Sequence, residues 1–278
     1  MSRPALVLCY HSTNVNGHDY AANDHVALRA DLMAIAARGL RVVHALDAVR
    51  EPLCNQPRVA ITFDDGMILD AIDFEHPGFG HQDSFLRILR EHHAATGQRC
   101  VAASFVIASP AARAELDRKD FLALNVWHDD WWSAAVASGY LTIENHSWDH
   151  NHPSLERSVQ RDNQRGSFRF IDTEADALAE IAQASDYIEQ RSGRRPSLFA
   201  YPWGEDNPYL VDQFLPEHAA RLGIEGAFIT SASRPHEFDR WRIPRPVCGT
   251  DWRSPEEFAA LIDRYLATGD PTPSLRRP

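Results

Sequence analysis

Two adjacent carboxylates, Asp64-Asp65, and then Gly66 close a run of apolar and β-branched residues, Val59-Ala60-Ile61-Thr62-Phe63. Such a run reads as a buried strand. Acids side by side at its end repel each other, and a metal ion or a nearby cation is the usual offset. A solvated Asp-Asp-Gly turn is the plain alternative. About eighty residues on, His146-Ser147-Trp148-Asp149-His150 again follows a strand-like run. A His-x-x-x-His pair with one carboxylate supplies two neutral nitrogens and one anionic oxygen, the three-ligand set of a catalytic zinc that leaves a position for water. His150-x-His152 is a second spacing that could chelate. With two acids adjacent, one can ligate the metal while its neighbour takes a proton from the bound water.

These residues need elements to bring them together, and the chain alternates strand and helix. Ala5–Tyr10 reads as a first strand ending at His11. A helix over about 24–38 carries Leu28, Leu32 and Ile35 on one face and stops at Gly39. Leu40–Val43 is a strand, and 73–83, with Pro77, Gly78 and Gly80, predicts a loop. Ser84 caps a helix with Phe85, Ile88 and Leu89 inward. Val101–Ile107 and Leu141–Asn145 are strands flanking a helical region from Pro110 to about Ser138. A helix from about Thr173 to Arg191 leads to strand Leu198–Tyr201, which turns at Pro202-Trp203-Gly204. A helix over about 209–222, strand Ala227–Thr230 and an extended piece around 241–247 follow. Ser254-Pro255-Glu256-Glu257 is a capping box that opens a last helix. Residues 1–266 are expected to form one domain and 267–278 a frayed tail.

Six or seven such alternations predict a parallel (β/α) barrel, distorted or incomplete, rather than a sandwich. His11, Asp64-Asp65, His146/His150 and Pro202-Trp203-Gly204 each fall directly after a strand. A barrel would gather them on its C-terminal rim.

Composition bounds the rest. The 278 residues are 44% apolar with 28 basic against 39 acidic side chains, a formal charge of −11. That balance argues against nucleic acid and anionic membrane surfaces as partners. No run of eighteen apolar residues occurs, so no membrane span is expected. Met1-Ser2-Arg3-Pro4 leads straight into the first strand, and a cytoplasmic location is expected. Cys9, Cys54, Cys100 and Cys248 form no Cys-x-x-Cys pair, which predicts reduced thiols and no thiolate-bound zinc. Asn145-His146-Ser147 matches a glycosylation sequon but lies within the candidate site. Trp127, Trp131 and Trp132 are expected in helix core.

Thr62-Phe63-Asp64-Asp65-Gly66 and His146-Ser147-Trp148-Asp149-His150 resemble the first two motifs of the polysaccharide deacetylase family, the NodB-type domain of the fourth carbohydrate esterase family. Phe199-Ala200-Tyr201-Pro202-Trp203-Gly204 resembles the third. Leu8-Cys9-Tyr10-His11-Ser12 is similar to the opening of a subgroup with an N-terminal Tyr-His motif, and Ala103–Ile107 to a further strand of the family. The resemblance covers roughly residues 5 to 250. It implies a distorted or incomplete (β/α) barrel of the deacetylase type and a metal-dependent hydrolase acting on the amide of an N-acetylated amino sugar. By the same resemblance Asp65, His146 and His150 would hold a divalent metal, zinc most often, with cobalt or nickel as substitutes. Asp64 would be the base, and the backbone N–H of Trp203 would meet the oxyanion.

Two departures stand out. No Leu-x-His-Asp motif follows residue 204, so the acid is expected from the start of the chain, at His11. Ala200 stands where many members carry an arginine that braces the base. Arg245 is the candidate substitute, and it also counts among the expected substrate contacts with Trp203, Tyr201 and Trp148. Asp149 would orient a ligating histidine or face water. The alternatives are hydrolysis of a cyclic amide or ureide on the same fold, and a catalytically silent carbohydrate-binding protein. Oligomeric state is left open.

Overall fold

The computed structural model describes residues 2–233, 237–267 and 274–275. Its strands are β1 (Leu6–His11), β2 (Arg41–Val42), β3 (Arg58–Asp64), β4 (Phe74–His76), β5 (Gly80–Gln82), β6 (Ala102–Val106), β7 (Leu141–Asn145), β8 (Leu198–Ala200), β9 (Gly226–Thr230), β10 (Glu237–Phe238), β11 (Ile243–Arg245) and β12 (Ser274–Leu275). The helices are α1 (Asp24–Ala37), α2 (Ala45–Arg50), α3 (Phe85–Thr96), α4 (Pro110–Asp120), α5 (Trp132–Ser138), α6 (Glu174–Ala177), α7 (Gln183–Ser192), α8 (Leu215–Leu222) and α9 (Pro255–Leu266).

The main sheet is parallel and runs β1-β3-β6-β7-β8-β9-β11, with β2 also on β3. β3, β6 and β7 are buried along their whole length, as strands of a sheet covered on both faces should be. The first and last barrel strands approach at one end. Cys9 N–H donates to Pro246 O at 3.0 Å, and Cys248 N–H to Cys9 O at 2.9 Å. The result is a nearly closed, distorted (β/α) barrel.

Three segments differ from expectation. The region 110–138 is two helices, because the Asp117 carboxylate accepts from Asn125 N and Val126 N and turns the chain out of helical geometry. The 73–83 loop contains an antiparallel hairpin, β4 with β5, whose three-residue strands are too short to show periodicity. The helix over 174–192 contains a π turn, Leu178–Ala182, between α6 and α7. In the expected tail, residues 268–273 and 276–278 lie outside the described residues, while Ser274–Leu275 pairs with β10. Among the described residues no helix is long and apolar enough to cross a membrane.

Candidate active site

β3 delivers Asp64 and Asp65 to the rim in different states. Asp64 ends the strand, opposite His11 of β1 in register. Asp65 then turns into the left-handed region, φ 75°, and Gly66 follows at φ 75°. A Cβ on Gly66 would lie 2.4 Å from Val106 Cγ1 and 2.9 Å from its Cα, so the turn admits no larger residue. The Asp65 carbonyl is held from two sides, by Ile107 N–H at 3.3 Å and by the Trp127 indole N–H at 3.0 Å. Trp127 is buried as expected, but in a loop, where it clamps this turn.

The Asp64 carboxylate is buried and held in a fork by Arg245: Nη1 donates to Oδ1 at 2.6 Å and Nη2 to Oδ2 at 2.7 Å. Arg245 is itself fully buried between the rings of Phe105 and Phe228, and also donates to Thr62 Oγ1 at 3.1 Å. Burial alone would push the Asp64 carboxyl up. The Arg245 guanidinium, with His146 beside it, more than offsets this and holds the carboxyl well below the usual carboxylate range. Arg245 therefore touches Asp64, and the expectation that it contacts substrate is corrected.

β7 delivers the two imidazoles on a loop whose backbone is forced. Ser147, His150 and Asn151 have φ of 69°, 63° and 44°, conformations that cost roughly 1–3 kcal/mol each unless their surroundings impose them. The surroundings do. Asn145 Oδ1 accepts from Ser147 N–H at 2.7 Å, and Ser147 Oγ from His150 N–H at 2.9 Å. The buried Glu180, on the π turn, accepts from the N–H groups of Trp148 at 3.0 Å and Asp149 at 3.2 Å. Asp149 is buried and accepts from Asn151 N–H and Val159 N–H, so it holds the loop and neither orients a histidine nor faces water.

His146 Nδ1 lies 2.8 Å from the Ala200 carbonyl. A carbonyl can only accept, so Nδ1 carries the proton and Nε2 presents its lone pair. His146 Nε2 and His150 Nε2 lie 3.7 and 3.8 Å from Asp65 Oδ1. Burial, with the neighbouring His146 and His152, pushes the His150 imidazole well below its usual range, toward the neutral form a ligand requires. Ligands at about 2.0–2.1 Å from a tetrahedral zinc sit about 3.4 Å apart, so each imidazole nitrogen stands a few tenths of an ångström farther from Asp65 Oδ1 than such an ion requires. Asp64 Oδ2 lies 3.9 Å from His146 Nε2. His152 is not in this cluster: its Nδ1 accepts from Ser154 N–H at 3.2 Å.

His11 is half-buried, and its ring nitrogen, Cys9 Sγ and an Asp64 oxygen lie within 4.8 Å of one another. Its backbone N–H donates to Asp24 at 2.8 Å. Trp203, 41% exposed, sits edge-on to His150 at 4.6 Å and tilted over His152 at 5.3 Å. Tyr201 is fully buried against Phe199, which corrects its expected contact with sugar. Trp148 turns its ring to Tyr187 of α7 and lines an outer cavity of about 540 Å³ with Ser109, Leu155 and Arg157. Sequence reading missed Glu180 and the clamp by Trp127. An acid flanked by the buried Ala177, Ile181 and Ala184 was the available signal for the first; nothing in the local pattern marked the second.

Residues 54–225 match the sequence model of a family described as polysaccharide deacetylase. No curated protein sequence matches the chain. Among solved structures it is similar to IcaB from Ammonifex degensii (18% identity, TM-score 0.59, covering 95% of this chain and 98% of that one). It is also similar to the deacetylase PplD from Streptococcus pyogenes in complex with acetate (16% identity, TM-score 0.58, covering 94% and 99%). A polysaccharide deacetylase from Bacillus cereus aligns with 15% identity and TM-score 0.59, covering 94% of this chain and 69% of that one.

Proposed function

The chain belongs to the polysaccharide deacetylase family, and from that premise we propose that it removes the N-acetyl group of an amino-sugar-containing substrate in a metal-dependent hydrolysis. One observation carries the reading: Asp65, His146 and His150 converge on one point while a separate carboxylate, Asp64, is kept ionised beside them by Arg245. Asp65, His146 and His150 would hold the ion, which supplies Lewis acidity and a lowered pKa for water when bound.

The chain's own residues do the rest. Asp64 accepts the proton of the attacking water, and the Arg245 fork fixes which way its oxygens face. Trp203 sits at φ 62° in the tight turn that Gly204 N–H closes on the Tyr201 carbonyl at 2.9 Å, and its own N–H is assigned to the carbonyl oxygen as it gains charge. A departing amine needs a proton, and His11, opposite Asp64 in register, is assigned as its donor. Trp203 offers its exposed face to the sugar ring.

Asp64→Asn is expected to retain metal and lose acetate release, and elemental analysis alongside an acetate assay reads both; loss of metal would exchange the roles of the two aspartates. His146→Ala is expected to lose the metal itself. His11→Ala should slow an amide far more than an activated ester, whose leaving group needs no proton, and equal losses would remove His11 as the acid.

A further inference from the structure

One imidazole at the site has no part in the proposed hydrolysis. The His152 ring lies 5.7 Å from His150 and 5.3 Å from Trp203, and Trp203 stands edge-on to His150 at 4.6 Å, so three rings meet there. His152 is half-buried, and its own loop fixes it. Its backbone N–H donates to the Asp149 carbonyl at 3.3 Å, and its carbonyl accepts from Leu155 N–H at 3.2 Å. Ser154, whose N–H meets the ring, is tied in turn to α4. Its carbonyl accepts from Lys119 Nζ at 2.7 Å, and its hydroxyl donates to Asp120 at 3.3 Å.

A single hydrogen bond decides what that ring can do. A backbone N–H only donates, so Nδ1, which takes the Ser154 N–H at 3.2 Å, carries no proton and Nε2 does. His152 therefore presents a donor where His146 presents a lone pair. Among the described residues no acceptor meets that Nε2–H, and the atom is not shut away from solvent. An N–H lies in the plane of its ring. The imidazole and indole planes differ by 34°, so the Nε2–H runs alongside Trp203 and does not point into the indole face. We propose that His152 determines sugar specificity, its Nε2–H donating to an equatorial hydroxyl oxygen of the sugar that stacks on Trp203. A pyranose laid flat on an indole sends its equatorial hydroxyls outward near its own mean plane, where this donor runs; an axial hydroxyl leaves that plane. This rests on reading the site as an amide hydrolase of amino sugars.

The test uses the methyl glycoside of N-acetylglucosamine and analogues that each lack one hydroxyl, with metal content read alongside. In the wild type one analogue should lose roughly tenfold in kcat/KM, mostly through KM. His152→Phe keeps a ring against Trp203 and removes the N–H, so that analogue and the parent should become equal substrates while metal content is unchanged. Should the Phe variant fail to fold, His152→Leu carries the same comparison. A ring that only props Trp203 would leave the wild-type preference intact in the variant, and that result overturns the proposal, as does a wild type that treats all the glycosides alike. Calorimetric binding of the same glycosides reads the donor without turnover. No acetate release from any of them by the metal-loaded wild type would overturn the hydrolase reading, while the binding ratios still decide the donor; no binding at all would overturn the donor as well.

Discussion

Asp64 keeps a negative charge where solvent does not reach, and Arg245 makes that tenable. A bidentate guanidinium is the side chain suited to this task; lysine carries the charge without the fork. Arg245→Lys is therefore expected to lower kcat on the order of a hundredfold while metal content stays unchanged. It should also move the acidic limb of the pH–rate profile upward. In the wild type Asp64 is ionised well below pH 4, so no loss from its protonation is expected between pH 5 and 8. The sign for stability follows. A carboxyl depressed in the folded state contributes fully above its unfolded value, near 4, and that contribution is lost as pH falls through the folded value. Asp64 and Asp65 were both legible as a pair in the sequence. That Arg245 braces the base was expected only through the family resemblance, because no local pattern joins residues 181 positions apart.

At the scale of elements, the proposed ligands sit on turns that other elements hold in place. The Asp65 turn is clamped by Trp127, and the His146–His150 loop is hung from Glu180 on the π turn. Trp127→Phe keeps most of the packing and removes one N–H. Its expected effect is a ten- to hundredfold loss of metal affinity with little change in Tm, read by metal titration and thermal melting. Burial and the adjacent Asp149 push the Glu180 carboxyl well up, toward the protonated form that glutamine imitates. Glu180→Gln should be nearly silent, whereas Glu180→Ala should cost about 2–4 kcal/mol, because it leaves two buried N–H groups without an acceptor. A denaturant series on both variants checks the contrast. Periodicity, caps and stop glycines revealed the helices α1, α3 and α9 and the strands β3, β6 and β7. The hairpin and the loop between α4 and α5 were not legible, since tertiary hydrogen bonds rather than local pattern shape them.

The whole molecule is a barrel whose proposed chemistry draws on both ends of the chain. The family match spans 54–225 and holds Asp64, Asp65, His146 and His150, while His11 and Arg245 lie outside it, on β1 and β11. Fold class was readable from the alternation of elements; the closure between Cys9 and Pro246 was not, because nothing local encodes it. The interior also stores protons. Burial pushes the carboxyls of Asp31, Asp70 and Glu144 up to about 7. The folded state then holds protons that the unfolded chain releases near pH 4, so these groups should make stability fall as pH rises from about 4 to 7 and level off above. Asp70→Asn should flatten part of that slope in a plot of Tm against pH. The seam between β1 and β11 carries a further consequence for biosynthesis. A nascent chain that has emerged only as far as β9 already owns every proposed ligand, yet Asp64 has no counter-ion. On the proposed mechanism, metal capture would precede release from the ribosome, and turnover would wait for β11.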